Sequence, residues 1–130
     1  TYVSDLESGN NVTEQLPEAP PVDEKILENL RNKGLIISRF NEKSDLLDVR
    51  VINNKKQWTD EKTALLTQIK ENIGLLDLSE TQISNASINT ISSFSNLIHL
   101  QIQKNGISNI TPLANLKFLR LLNIYQTKVG

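Results

Sequence analysis

From residue 46 onward the apolar positions recur in an uneven rhythm that neither plain strand alternation nor a helical repeat produces. The segments "LLDVRVINN" from Leu46, "IGLLDLSETQI" from Ile73, "LIHLQIQKNGI" from Leu97 and "LRLLNIYQTKV" from Leu119 share one pattern. Each reads apolar-x-x-apolar-x-apolar-x-x-Asn/Thr, and the last three add x-apolar with Ile83, Ile107 and Val129. The apolar triads are Leu46, Val49, Val51; Ile73, Leu76, Leu78; Leu97, Leu100, Ile102; and Leu119, Leu122, Ile124. The second and third members, two apart, predict one face of a short strand. The polar position (Asn54, Thr81, Asn105, Thr127) predicts a bend, where an amide or hydroxyl faces inward and satisfies turn backbone that would otherwise be buried unpaired.

The segments between the strands carry a different rhythm. "WTDEKTALLTQIKE" predicts a helix with Thr59 as cap and Leu65, Leu66 and Ile69 as its apolar stripe. "SNASINTISSF" spaces Ile88, Ile91 and Phe94 by three, and "SNITPLANLKF" sets Pro112 among Ile110, Leu113 and Leu116. Pro112 and the shorter last unit favour a 3₁₀ turn or a very short helix there. The offsets between successive units are 27, 24 and 22 residues, the pattern and period of leucine-rich repeats. One such unit cannot bury its own apolar edge, so the units stack and share a core. The predicted fold is therefore α/β: a right-handed leucine-rich-repeat solenoid with parallel strands on the concave face and helices or 3₁₀ turns on the convex face.

Three regions follow. Residues 46–130 hold about four repeats, the last incomplete. Residues 22–45 predict an N-terminal helix–strand cap. There Asp23 caps a helix striped by Ile26, Leu27 and Leu30, Val22 and Leu27 form a hydrophobic staple, Gly34 ends the helix, and "LIIS" reads as a buried strand. Residues 1–21 carry Asp5, Glu7, Glu14 and Glu18 with no Lys or Arg and close on Pro17, Pro20 and Pro21, which predicts a disordered acidic linker.

Charge and composition narrow the function. The net charge of −1 over 130 residues gives no footprint for nucleic acid. No apolar run is long enough to span a bilayer, so no direct membrane insertion of these residues is expected, and none of them reads as a signal peptide, which leaves room for a signal or anchor upstream. The chain opens on Thr1 and contains no Met, which predicts a processed or excised piece of a longer product. With no Cys, thiol catalysis, disulfides and Cys-based metal sites are excluded. His99 is the single His; Asp77 lies diagonally from it, but no nucleophile completes a catalytic set and no ligand cluster completes a metal site. The glycines form no phosphate cradle. The expectation is a protein that is not an enzyme and uses no cofactor or metal. The "NVT", "NAS" and "NIT" sequons fit chance in so Asn-rich a chain, Trp58 is expected to pack over its helix, and Lys55-Lys56 reads as a solvated turn.

Residues between the apolar strand positions point to the concave face and form columns across the units. One runs Asp48, Leu75, His99, Leu121; the next Arg50, Asp77, Gln101, Asn123; the next Ile52, Ser79, Gln103, Tyr125. The candidate binding face is Arg50, Leu75, Asp77, His99, Gln101, Gln103, Leu121, Asn123 and Tyr125, with Tyr125, His99, Leu75 and Leu121 as anchors. Aromatic and apolar groups among polar ones suit protein or peptide recognition; the competing reading is an ordinary solvated sheet face. The last strand has no following unit in the sequence, and three expectations compete: further residues beyond Gly130, which is favoured, then pairing of two copies through the C-terminal edge, then a partner on the exposed patch.

Two resemblances extend this reading. "NGISNITPLANLKFLRLL" resembles the repeat of internalin-type bacterial surface proteins. More widely, "ILENLRNKGLIISRFNEKSDLLDVRVIN", "LLDLSETQIS" and "LLNIYQTKVG" resemble the leucine-rich-repeat tail of bacterial membrane-anchored proteins with a c-type cytochrome-like domain. The chain lacks any Cys-x-x-Cys-His and so attaches no haem itself. The resemblance implies a periplasmic or cell-surface module tethered through an upstream segment. The expected function is a non-catalytic interaction module for an unknown protein or peptide, and the alternative is a structural spacer or self-assembly domain.

Overall fold

The computed structural model describes residues 16–129 and shows a mixed α/β fold. Helix α1 (Glu24–Arg31) leads into strand β1 (Leu35–Arg39), followed by β2 (Leu47–Val51), helix α2 (Asp60–Leu65), β3 (Ile73–Asp77), helix α3 (Asn85–Ile91), β4 (His99–Gln101) and β5 (Leu121–Asn123). The strands form one open sheet in chain order, β1 to β5. β1 is antiparallel to β2, and every later neighbour is parallel. Val49, Leu76, Leu100 and Leu122 lie opposite one another across four strands, the lateral register that the repeating triads predict.

Helix α1 begins where Asp23 accepts a hydrogen bond from the Lys25 amide at 2.9 Å, and it buries Leu27 and Leu30. Gly34 turns the chain at φ +103°, a backbone region costly for other residues. The "LIIS" strand is buried on one face only. Leu35 and Ile37 enter the core, whereas Ile36 is 47% exposed, because β1 is an antiparallel edge strand whose second face meets nothing.

One continuous core joins Leu27, Leu30, Leu35 and Ile37 to the strand residues Val49, Leu76 and Leu100 and to the returns' Leu66, Ile69, Ile88, Ile91, Phe94 and Leu113. Trp58 is almost fully buried within it and donates its indole N–H to the Thr63 hydroxyl at 3.0 Å, so it packs into the core against α2. Helix α2 is short and continues as a 3₁₀ turn over Leu66–Ile69. Thr59 sits at its N-cap position but its hydroxyl accepts no cap bond. The last return, Thr111–Asn115 with Pro112 near its start, is a 3₁₀ turn as its length predicts.

Two positions depart from the sequence alignment. In the first unit Leu47, not Leu46, pairs with Ile73 and enters the core. β2 alternates regularly, while β3 carries one extra residue, Gly74, which shifts the register between Leu47 and Asp48. Leu46 is equally buried but lies against Gly74, where an added Cβ would sit 3.4 Å from the Leu46 Cβ and 3.2 Å from the Phe40 ring. Asn54 does not face inward. "NNKKQ" folds into its own 3₁₀ turn, Lys55–Gln57, and leaves Asn54 exposed with φ 55°. Thr81 and Asn105 do occupy the buried bend. Asn105 accepts from the Thr81 amide at 3.0 Å and donates to the Leu78 and Ile102 carbonyls, and Thr81 Oγ1 donates to the Leu78 carbonyl at 2.7 Å.

Of the expected linker, residues 1–15 lie outside the described residues, whereas residues 16–21 run past the strand entries. Asn72 donates its side-chain amide to the Pro20 carbonyl at 2.6 Å and to the Asp45 carbonyl at 3.2 Å. One unit later, Asn96 does the same to the Glu18 and Glu71 carbonyls, at 3.0 and 2.7 Å.

Candidate interaction surface

The sheet face turned away from the helices carries the alternate strand residues in two aligned rows. Across the strands, one row runs Ser38, Asp48, Leu75, His99, Leu121 and the next Ile36, Arg50, Asp77, Gln101, Asn123. The parallel register therefore brings Arg50, Leu75, Asp77, His99, Gln101, Leu121 and Asn123 into the columns expected of them, and β1 lengthens each column by one, while Gln103 and Tyr125 lie just past the paired strands.

Most of these side chains are engaged within the chain. Arg50 grips Asp48 with two bonds, Nε to Oδ1 at 2.8 Å and Nη2 to Oδ2 at 3.2 Å, and this contact raises the guanidinium above its ordinary pKa despite partial burial. Asp77 Oδ1 accepts from the Ser79 amide at 3.0 Å and hydroxyl at 2.7 Å, closing the exit of β3. Asn123 repeats the device on β5, accepting from the Tyr125 amide at 3.0 Å. Gln103 donates to Gln101, two residues back along the chain at the exit of β4, at 3.3 Å.

Leu75 is not an exposed anchor. It is 7% exposed, and Phe40, from the β1–β2 connection, lies against the neighbouring Gly74 and meets the ring of His99, the residue paired with Leu75, edge-on at a centroid distance of 6.0 Å. His99 is half-buried, and this desolvation holds its pKa below the ordinary histidine value. The apolar groups that reach solvent are at the two ends of the face: Ile36 and Ile52, each 47% exposed, on the β1–β2 side, and Leu121 (36%) and Tyr125 (65%) on the β5 side. Sequence reasoning missed Ile36 as part of the face because "LIIS" reads as a fully buried run. It missed Phe40 because that residue lies outside the repeats. Asn72 and Asn96 did leave a signal, an Asn directly before the first core residue of two consecutive units.

Among the described residues no three His, Asp or Glu side chains converge as metal ligands, and no helix is long and apolar enough to cross a membrane. The chain matches no protein-family model and none of the curated proteins.

Proposed function

We propose that the chain is a leucine-rich-repeat solenoid acting as a non-catalytic interaction module, and that an unknown protein or peptide docks on the outer sheet face. The observation that carries this reading is the arrangement of that face. A polar middle of Arg50, Asp77, Gln101 and Asn123 is flanked by solvent-exposed Ile36 and Ile52 at one end and Leu121 and Tyr125 at the other. Ile36, Arg50, Asp77, Gln101, Leu121 and Asn123 stand on hydrogen-bonded strands, with Ile52 and Tyr125 one and two residues past strand ends, so little ordering of the strand groups is lost on binding. The repeat period, the shared triads and the buried Asn/Thr bends support the solenoid. The resemblance to tethered bacterial repeat tails supports a periplasmic or cell-surface setting.

The test is site-specific photocrosslinking from position 125 in bacterial envelope fractions. A discrete adduct that Leu121→Ala and Ile36→Ala both diminish supports the reading. A pattern indifferent to both substitutions contradicts it.

A second reading, assembly through the free edge of β5, has its own observation. Leu119, Leu122, Ile124 and Val129 remain only partly buried, whereas their counterparts Leu97, Leu100, Ile102 and Ile107 are fully enclosed. Light scattering distinguishes the two: a dimer dispersed by Leu119→Lys, with helicity retained, favours edge assembly, and a monomer at all concentrations removes it.

A further inference from the structure

At the opposite end from the strand entries, the bends open an exposed groove of about 480 Å³ lined by the buried bend residues Thr81 and Asn105, by the exposed Gly106, and by a rim of Lys56, Lys104, Lys128, Gln82 and Gln126. The three lysines come from three different units of the chain and are solvent-exposed. Among the described residues no acidic side chain lines the groove. Glu80, next to it in sequence, instead faces Lys55 at 3.9 Å, and among the described residues none of the three rim lysines has a carboxylate within ion-pair distance. A local excess of positive charge therefore stands on a chain whose net charge is −1.

Gly106 makes this a shaped feature rather than scattered lysines. Its φ is not in the left-handed region, and a Cβ added there would meet nothing within 4 Å. Neither conformation nor packing requires glycine at this position, between the buried Asn105 and Ile107. A glycine in ordinary backbone costs conformational entropy, and what it provides here is bare main chain that a ligand can approach closely. The equivalent positions one unit before and after are Gln82 and Lys128, whose side chains wall the gap.

We propose that this groove binds an acidic extended polypeptide, its carboxylates reaching the three lysines while its backbone lies over Gly106. Lysines act as flexible point charges suited to carboxylates spaced along a chain, not as the planar fork that fixes a single phosphate. Among the described residues the rim carries no aromatic side chain on which bases would stack, which disfavours single-stranded nucleic acid.

The experiment measures binding of a fluorescent, end-blocked hexaglutamate to the chain at low salt, with inorganic phosphate and an oligothymidylate of equal charge as parallel probes. The expected result is hexaglutamate binding that weakens as salt rises and is the tightest of the three. Lys104→Gln with Lys128→Gln should weaken it at least tenfold. Lys25→Gln with Lys33→Gln, the same charge change on α1 and the turn after it, should alter it less than twofold. Gly106→Gln should also weaken it at least tenfold while the thermal midpoint stays equal or rises, which separates a filled groove from a damaged fold. Leu121→Ala should leave it unchanged, keeping this site apart from the sheet face. Absence of hexaglutamate binding, equal loss from both lysine pairs, retention by Gly106→Gln, or tighter binding of phosphate or oligothymidylate would overturn the proposal.

Discussion

His99 shows how one side chain's surroundings set a measurable property. Its pKa is depressed because burial beside Leu75 and the Phe40 edge disfavours the imidazolium. As pH falls below about 6.5, the unfolded chain takes up a proton before the folded chain does. Stability should therefore decline as pH drops from that value towards the folded pKa, and be fully present above it. Urea titrations across this window should show the slope in the wild type and its loss in His99→Gln. Glu80 offers a second residue-scale prediction. It is exposed and holds φ 58°, where a side chain is strained. Glu80→Gly should raise stability by up to ~1 kcal/mol, since the long exposed contact to Lys55 contributes little. The burial of Leu75 was illegible in the sequence for a physical reason: the residue that shields its surroundings, Phe40, belongs to a connection with no repeat pattern. The exposure of Tyr125 and Leu121 at the free end of the sheet was legible, because strand alternation alone turns them outward.

At the scale of elements, the polar devices are shared between neighbouring units. Asn105 serves its own bend and the preceding one, bonding the Thr81 amide and the Leu78 carbonyl as well as the Ile102 carbonyl. Asn105→Ala should cost roughly 2–3 kcal/mol by leaving buried backbone groups unpaired, as measured by chemical denaturation. Asp60, at the start of α2, caps helix α3 of the next unit. Its carboxylate accepts from the Ser84 amide and hydroxyl and the Ser87 amide and hydroxyl, at 2.9, 2.6, 3.2 and 2.6 Å. Burial alone would raise the Asp60 carboxyl, but these bonds outweigh it and hold the group below the usual carboxylate range. Its stabilisation is thus present above the unfolded pKa, about 4, and lost as pH falls through the folded value. Asp60→Asn should cost about 1 kcal/mol near neutrality, and the gap to wild type should close in acid. The inward roles of Thr81 and Asn105 could be read from the repeat. The role of Asp60 could not, because its partners lie a full unit away and only the stacked arrangement brings them together. Asn54 misled because its own neighbours, Lys55 to Gln57, close a local turn that competes with the shared one.

For the whole molecule, the lateral stack is what turns four weakly apolar strips into one core. Burial is complete for Leu76 and Leu100 and partial for Leu122, which has a neighbouring strand on one side only. Leu100→Ala should therefore cost about 2–5 kcal/mol, with a clearly smaller loss for Leu122→Ala, whose site already meets solvent. The order and neighbours of the strands were legible because the same triad returns at nearly constant spacing. The offset of the first unit was not, since both Leu46 and Leu47 satisfy an apolar position and only the extra residue at Gly74 decides between them. The claim on which the rest depends is that the strands lie side by side, in parallel, with the triads opposed. Cross-strand nuclear Overhauser contacts measured on the isotopically labelled chain test it most directly. Backbone contacts linking Leu76 to Leu100 and Leu100 to Leu122 in a parallel pattern are the predicted result; an antiparallel pattern, or no contact among these three residues in the folded chain, would contradict it.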